Sequence, residues 1–327
     1  MSAATTTMEG WTRRRPGWMV IARKEFTDHI LSGRFVALLV ILSLVAMGTV
    51  YTAAGALRDA APQTAGLEGN FLRLFTVSGD LVPFSFLTFL GFLAPILGIA
   101  FGFDSVNGER AQGTLPRLVA QPIHRDDVIN GKFAAGLGVV GVTMTLITIV
   151  VGGLGIFLLG IVPTTTEVVR ILIWLAVAIV FVGVWLAMAV LCSVWMERAA
   201  TSATVSIGIW LIVALFGSLL AQLAADVISP VNPAEPMSAL SNAETELTLS
   251  RMSPIVLYGE AATALLNPGV RTLGFVTIEQ VDRTWLADLG LGQSLLLAWP
   301  QLVGLMAFTV VLFAVAYVRF MRQEVRA

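Results

Sequence analysis

Six uncharged apolar runs set the rhythm of the chain: Val36–Ala56, Leu81–Phe103, Phe133–Gly160, Ile171–Val194, Ser202–Ala225 and Ser294–Val318. Each is long enough to cross a bilayer as a helix, which takes about 20 apolar residues. The two longest polar intervals are 104–132, between the second and third runs, and 227–293, between the fifth and sixth. The expected fold is all-α, a polytopic membrane protein with six transmembrane helices. Residues 1–35 form a tail and an amphipathic helix, and residues 36–327 form the transmembrane domain. Ahead of the first run, Met19, Ala22, Phe26 and Ile30 make an apolar stripe among Arg23, Lys24, Glu25 and Asp28. That pattern predicts a helix lying in the membrane interface, with Trp18 at headgroup level. The same spacing also fits a plain extension of the first span.

The interval Asp104–Lys132 reads DSVNGERAQGTLPRLVAQPIHRDDVINGK. It holds four basic residues (Arg110, Arg117, Arg125, Lys132) and four acidic ones (Asp104, Glu109, Asp126, Asp127). A segment this polar between two spans belongs in water or against another protein. Gly113 can end a first short helix in the left-handed conformation. Thr114 can cap a second, with Pro116 in its first turn. Leu115, Leu118 and Val119 then share one face, and Gln121-Pro122 stops it. Asp126 and Asp127 suit the start of the helix that becomes the third span. By spacing alone, a docking element and a solvated connector fit equally.

In the 227–293 interval, Pro254–Leu266 reads as a helix with Ser253 as cap and Asn267-Pro268-Gly269 as stop. Its single acid, Glu260, predicts a helix on or partly in the membrane. In the third span, Ala134, Gly138, Gly141, Thr145, Thr148, Gly152 and Gly155 form a continuous stripe of small residues. Such stripes let membrane helices approach closely. Pro95 and Pro300 lie inside the second and sixth runs and can kink them.

Composition agrees with a membrane protein: 57% hydrophobic and 13% charged residues, with mean hydropathy +0.85. Net charge is −1, so nothing indicates a nucleic-acid partner. The single cysteine, Cys192, excludes an intrachain disulfide and a cysteine-built metal cluster. The two histidines, His29 and His124, are far apart, so no metal site and no catalytic triad is expected. The polar N-terminal segment is not followed directly by an apolar core and cleavage site, so no cleaved signal peptide is expected. With both termini inside, 14 of the 20 basic residues fall on the cytoplasmic side, which fixes the expected orientation. No span core carries an ionisable residue, which argues against a proton-coupled carrier. No phosphate-binding loop is present, because Gly131-Lys132 is followed by Phe133 and position 126 is Asp. The chain is expected to be no enzyme and to hold no cofactor.

The run Glu109-Arg110-Ala111-Gln112-Gly113-Thr114-Leu115-Pro116-Arg117-Leu118, then Gln121-Pro122-Ile123-His124-Arg125 and Gly131-Lys132, resembles the loop of ABC-2-type ABC transporter permeases. It looks most like the permease subunit of the nitrous-oxide-reductase maturation type. Less specific likenesses are Ala22-Arg23-Lys24-Glu25-Phe26, Ser253-Pro254 and Leu265-Leu266-Asn267-Pro268. The resemblance implies a type V exporter-like transmembrane domain in the cytoplasmic membrane. It makes 104–132 the coupling loop, with Glu109, Arg110, Gly113, Thr114, Leu115, Leu118 and Val119 as contacts to a separate ATP-binding cassette ATPase. Glu197 and Arg198 would be a second cytoplasmic contact. ATP and Mg would bind in the ATPase, present in two copies, and a second permease copy or close relative would complete the path. The second and fifth spans line that path in relatives, which brings in Phe84, Phe86, Ser206, Trp210 and Phe216 and suits an amphipathic or lipid-like cargo. Export is the implied direction. The alternative is a non-transporting module that relays ATPase-driven motion to an extracytoplasmic partner. Surrounding lipid is a partner in either case. Cysteine labelling from outside the cell should reach a thiol placed near Asn242 and miss one at Gln112; labelling at Gln112 would overturn the orientation.

Overall fold

The structure is a computed structural model and describes residues 16–64, 70–79, 82–113, 124–273 and 289–323. Among them the regular elements are all helices. They are α1 (Gly17–Ile30), α2 (Gly33–Thr64), α3 (Asn70–Thr76), α4 (Phe86–Gly102), α5 (Asn107–Ala111), α6 (Arg125–Leu159), α7 (Thr165–Trp195), α8 (Ala199–Ile228), α9 (Pro236–Ser250), α10 (Pro254–Leu266) and α11 (Leu291–Arg322). Six of these, α2, α4, α6, α7, α8 and α11, are long and apolar enough to cross a membrane. They coincide with the six apolar runs; five are extended by a few residues, whereas α4 begins only at Phe86, inside the expected Leu81–Phe103, and leaves Phe84 ahead of the helix. Pro95 and Pro300 sit inside α4 and α11.

The bundle is built around α7. This helix is buried along most of its length and packs on α4, α6, α8, α10 and α11. Its start is fixed by a capping box, in which Thr164 Oγ1 accepts from the Glu167 amide while the Glu167 carboxylate accepts from the Thr164 amide. α4 lies directly on α7 because glycines face it. A Cβ built at Gly98 would stand 2.6 Å from the Val182 carbonyl oxygen, and one at Gly102 would stand 2.7 Å from Ala189 Cβ. α1 packs chiefly along the first half of α6. There Gly131 admits Ile21, and Gly138 admits the Phe26 ring.

At the end of the bundle away from α1, α10 is wedged between α4, α7 and α11. Its Tyr258 ring is fully buried and stacks on Phe181, halfway along α7, with centroids 4.4 Å apart. Apolar contact with three spans outweighs the one acid. Glu260 is instead satisfied internally, held at 3.0 Å by Arg251 Nε and at 2.8 Å by Gln301 Nε2 of α11. The helix has the expected bounds, but Ser253 makes no capping bond; Pro254 at its first position needs no partner for a missing N–H. Nearby, the buried Arg170 guanidinium of α7 donates to Leu265 O, Ser294 Oγ and Leu289 O, tying α7, α10 and α11 together.

Gly98→Ala should lower thermal stability in detergent, because overpacking a close crossing costs about 1–3 kcal/mol. Gly48→Ala, with open space around its Cβ, should be neutral or stabilising by up to about 1 kcal/mol. Equal effects of the two would contradict the α4–α7 crossing.

Candidate functional site

The polar interval leaves α4 through α5 and returns through the start of α6, and its ends are bolted to the bundle by side chains. α5 begins without a cap of its own. Ser193 of α7 supplies one, its hydroxyl oxygen accepting from the amides of Val106 (3.0 Å) and Asn107 (3.2 Å). One turn later Glu109 Oε1 meets Lys132 Nζ of α6 at 2.7 Å. The same ammonium lies 3.3 Å from Glu25 Oε1 of α1. The Lys132 side chain is only 5% exposed, against 15% for Glu109 and 13% for Glu25. A lysine this buried is stable only when paired, so the position of α5 and that of α1 are set by one charge.

Gln323, just past the end of α11, makes the second bolt. Its side-chain oxygen accepts from Arg110 at 2.7 Å, its side-chain amide donates to the Val194 carbonyl at 2.7 Å, and its own carbonyl accepts from Arg125 at 2.9 Å. Arg125 also lies over the Phe320 ring. On the other flank, Arg34 at the start of α2 pairs with Asp104 at 2.5 Å and covers the Phe103 ring. His29 sits between these pairs, edge-on to Phe101. Burial holds its pKa below the usual histidine value, against the opposing pull of Glu25 and Asp104. Burial alone would raise the Glu25 carboxyl, but Lys132 and Lys24 beside it outweigh burial and hold it below the usual carboxylate value.

Glu109 and Arg110, expected as contacts for another protein, are thus turned toward Lys132 and Gln323 of their own chain. Gly113 has the left-handed φ of +65° that ends the α5 turn, and it is exposed. Thr114, Leu115, Leu118 and Val119 lie outside the described residues, as do Arg13, Arg14 and Arg15. Glu197 and Arg198 are exposed in the tight α7–α8 turn at the same end. Of the residues assigned to a path, Phe86 is buried in a cluster with Phe75 and Trp174, Ser206 and Trp210 are buried, and Phe84 and Phe216 are more than half exposed. The small stripe of α6 is divided: Gly138 meets Phe26, Gly155 is buried against Phe71 and Leu74, and Ala134, Gly141, Thr145, Thr148 and Gly152 are half-buried. The fully buried face of α6 lies one step round, at Val139, Val140, Thr143, Met144, Ile147 and Val151.

Sequence reasoning missed the partners. Glu25, Ser193 and Gln323 are each far from the loop in sequence, and no local pattern marks them. Thr164 with Glu167 was findable, because a threonine three residues before a glutamate at a span start is the capping-box signature. Among the described residues no cluster of three metal-ligating side chains occurs.

The family model for ABC-2 family transporter proteins matches residues 19–325 of the chain. Over 143 residues the chain is 29% identical to NosY of Pseudomonas aeruginosa, described as a probable ABC transporter permease protein. That likeness takes in 44% of this chain and 46% of NosY, so the chain covers under half of that relative's length.

Lys132→Met removes the cation and leaves two carboxylates facing each other. Removing one partner of a buried pair costs about 3–5 kcal/mol, and thermal stability in detergent should fall accordingly. The bridge should also be acid-sensitive. Because the folded Glu25 pKa is depressed, its contribution is whole above the unfolded value and is lost as pH falls through the folded one. Stability should therefore drop on acidification below about pH 4, and Glu25→Gln should flatten that drop. A pH profile identical in parent and Glu25→Gln would contradict the pairing.

Proposed function

The chain belongs to the ABC-2 family of transporter proteins, and from that premise we propose that it couples ATP hydrolysis by a separate ATPase to movement of its own spans. It is the membrane-embedded permease subunit; the end bearing α1, α5 and the α11 terminus faces the cytoplasm in this reading. The observation that carries the proposal is Lys132, whose buried ammonium joins α5 of the polar loop to α1 and α6. Together with Ser193 and Gln323 it ties the two described ends of the loop to the bundle. A push on 104–132 is therefore a push on α1, α4, α6, α7 and α11 at once.

In this reading Leu115, Leu118 and Val119 are the apolar key that enters the ATPase. Glu109 and Arg110 act by holding the loop to the bundle, and Glu197 and Arg198 stand exposed for a second contact. Buried apolar anchors carry most of the affinity of such a contact, while charges set orientation. ATP and Mg belong to the ATPase, present twice in an assembly with two permease chains, and the direction is export.

The test separates docking from transmission. Leu115→Asp should abolish copurification of the ATPase with membrane insertion unchanged. Lys132→Met should keep the ATPase bound and lose its stimulation in the reconstituted complex. If Leu115→Asp binds and stimulates like the parent, the loop is only a connector and the coupling reading fails.

A further inference from the structure

Where α2 leaves the membrane, two opposite charges border one open cleft. Residues 35–57 of this helix contain no Asp, Glu, Lys, Arg or His. From Arg34 to Arg58 the helix rises ~36 Å, at ~1.5 Å per residue, and a hydrocarbon core is ~30 Å thick. Arg34 stands at the loop end, paired with Asp104. Arg58 and Asp59 therefore reach the headgroup level of the opposite leaflet. The cleft has a volume of about 190 Å³ and lies between α2 and the end of α6. Arg58 and Asp59 line its upper part, Tyr51 lines it two turns down α2, and Leu158 is its α6 wall.

The arginine is anchored. Its guanidinium donates to the Leu158 carbonyl, one of the last carbonyls of α6, which lack a helical partner. That bond engages Nη2 and leaves the rest of the donor fork for an acceptor in the cleft. Asp59 is exposed, and among the described residues no hydrogen bond or ion pair reaches its carboxylate. Below the charges the helix turns apolar and narrow. A Cβ at Gly55 or Gly48 would meet nothing within 4 Å. Leu44, Gly48, Tyr51, Gly55 and Arg58 follow at intervals of four and three, which puts them on one face. Leu44 and Tyr51 are more than half exposed, so the charged rim runs into a track that faces lipid.

This arrangement selects its ligand by charge. A simple anion would be drawn to Arg58 and repelled by Asp59, and a simple cation the reverse. A phosphate and an ammonium a few bonds apart satisfy both. A primary ammonium also donates hydrogen bonds to a carboxylate, which a quaternary one cannot. The track below the rim accepts an acyl chain. We propose that the α2–α6 cleft binds a phospholipid with a phosphoethanolamine head, from the leaflet away from the loop. Its phosphate lies on Arg58, its ammonium on Asp59 and one acyl chain along Tyr51, Gly48 and Leu44. Held there, the lipid fills the seam between the first and third spans at the end opposite Lys132. The site requires only that the spans cross a bilayer, so it stands or falls apart from the coupling reading.

The full chain is placed in nanodiscs of equal parts dioleoyl phosphatidylethanolamine, phosphatidylglycerol and phosphatidylcholine. Lipids retained after transfer to mild detergent are counted by native mass spectrometry. The parent should retain phosphatidylethanolamine in about fivefold excess over either competitor, as one partly exposed ion pair provides. Asp59→Asn breaks no contact among the described residues and should bring phosphatidylethanolamine and phosphatidylglycerol level. Gly55→Leu puts a side chain into the cleft and should abolish retention with thermal stability unchanged. O-phosphorylethanolamine, the head without its chains, should not displace the lipid at equal concentration. Equal retention of the three lipids by the parent overturns the proposal, and so does a preference that survives both substitutions. Displacement by the free head overturns the lipid as ligand. Tyr51→Cys, with Cys192 replaced by alanine, should form no disulfide between two chains in membranes; a crosslinked pair would give this face to a second copy and overturn the site.

Discussion

A single ammonium group held between two carboxylates organises the loop end of this molecule. Lys132 belongs to α6, but its partners belong to α1 and α5. Burying a charge is costly, and that cost is recovered only in one geometry, with both acids in place. α1, α5 and α6 are therefore specified together rather than one by one. Apolar contact works in the same direction, with Ile21 and Phe26 of α1 seated at Gly131 and Gly138 of α6. The ion pairs fix the register.

The other fixed points follow the same logic with neutral groups. Ser193 caps a helix from a different helix, and Gln323 spends its side-chain oxygen, its amide and its backbone carbonyl on three different partners. At the opposite end Arg170 and Glu260 do comparable work for α10, each satisfied by groups from neighbouring elements. Polar bolts at both ends enclose a middle held by close helix crossings at Gly98 and Gly102. Against this frame α8 stands apart, attached mainly to α7, α4 and the α9 hairpin.

How much of this could be read from the sequence depended on the range of the physics involved. The six spans were legible because hydrophobic runs and their flanking charges are local signals. Pro254–Leu266 was legible as a helix, since proline and Asn267-Pro268 mark its ends, but not as a wedge. Its burial depends on α4, α7 and α11, which come from three separate stretches of the chain. The loop was legible as polar, and its described start as a short helix ending at Gly113. The inward turn of Glu109 and Arg110 was not, because nothing near them in sequence announces Glu25 or Gln323. The α6 stripe was read from spacing alone, whereas the fully buried face one step round is set by which neighbours arrive.

The central claim is that α1 and α5 travel together because Lys132 holds both. Spin labels on the exposed positions Thr27 and Gln112 of the assembled complex measure their separation by pulsed electron resonance. The account predicts one unchanged distance distribution without nucleotide and after trapping with ATP and vanadate, and a broadened, shifted one in Lys132→Met. A parent complex in which the two labels move apart on trapping would contradict it.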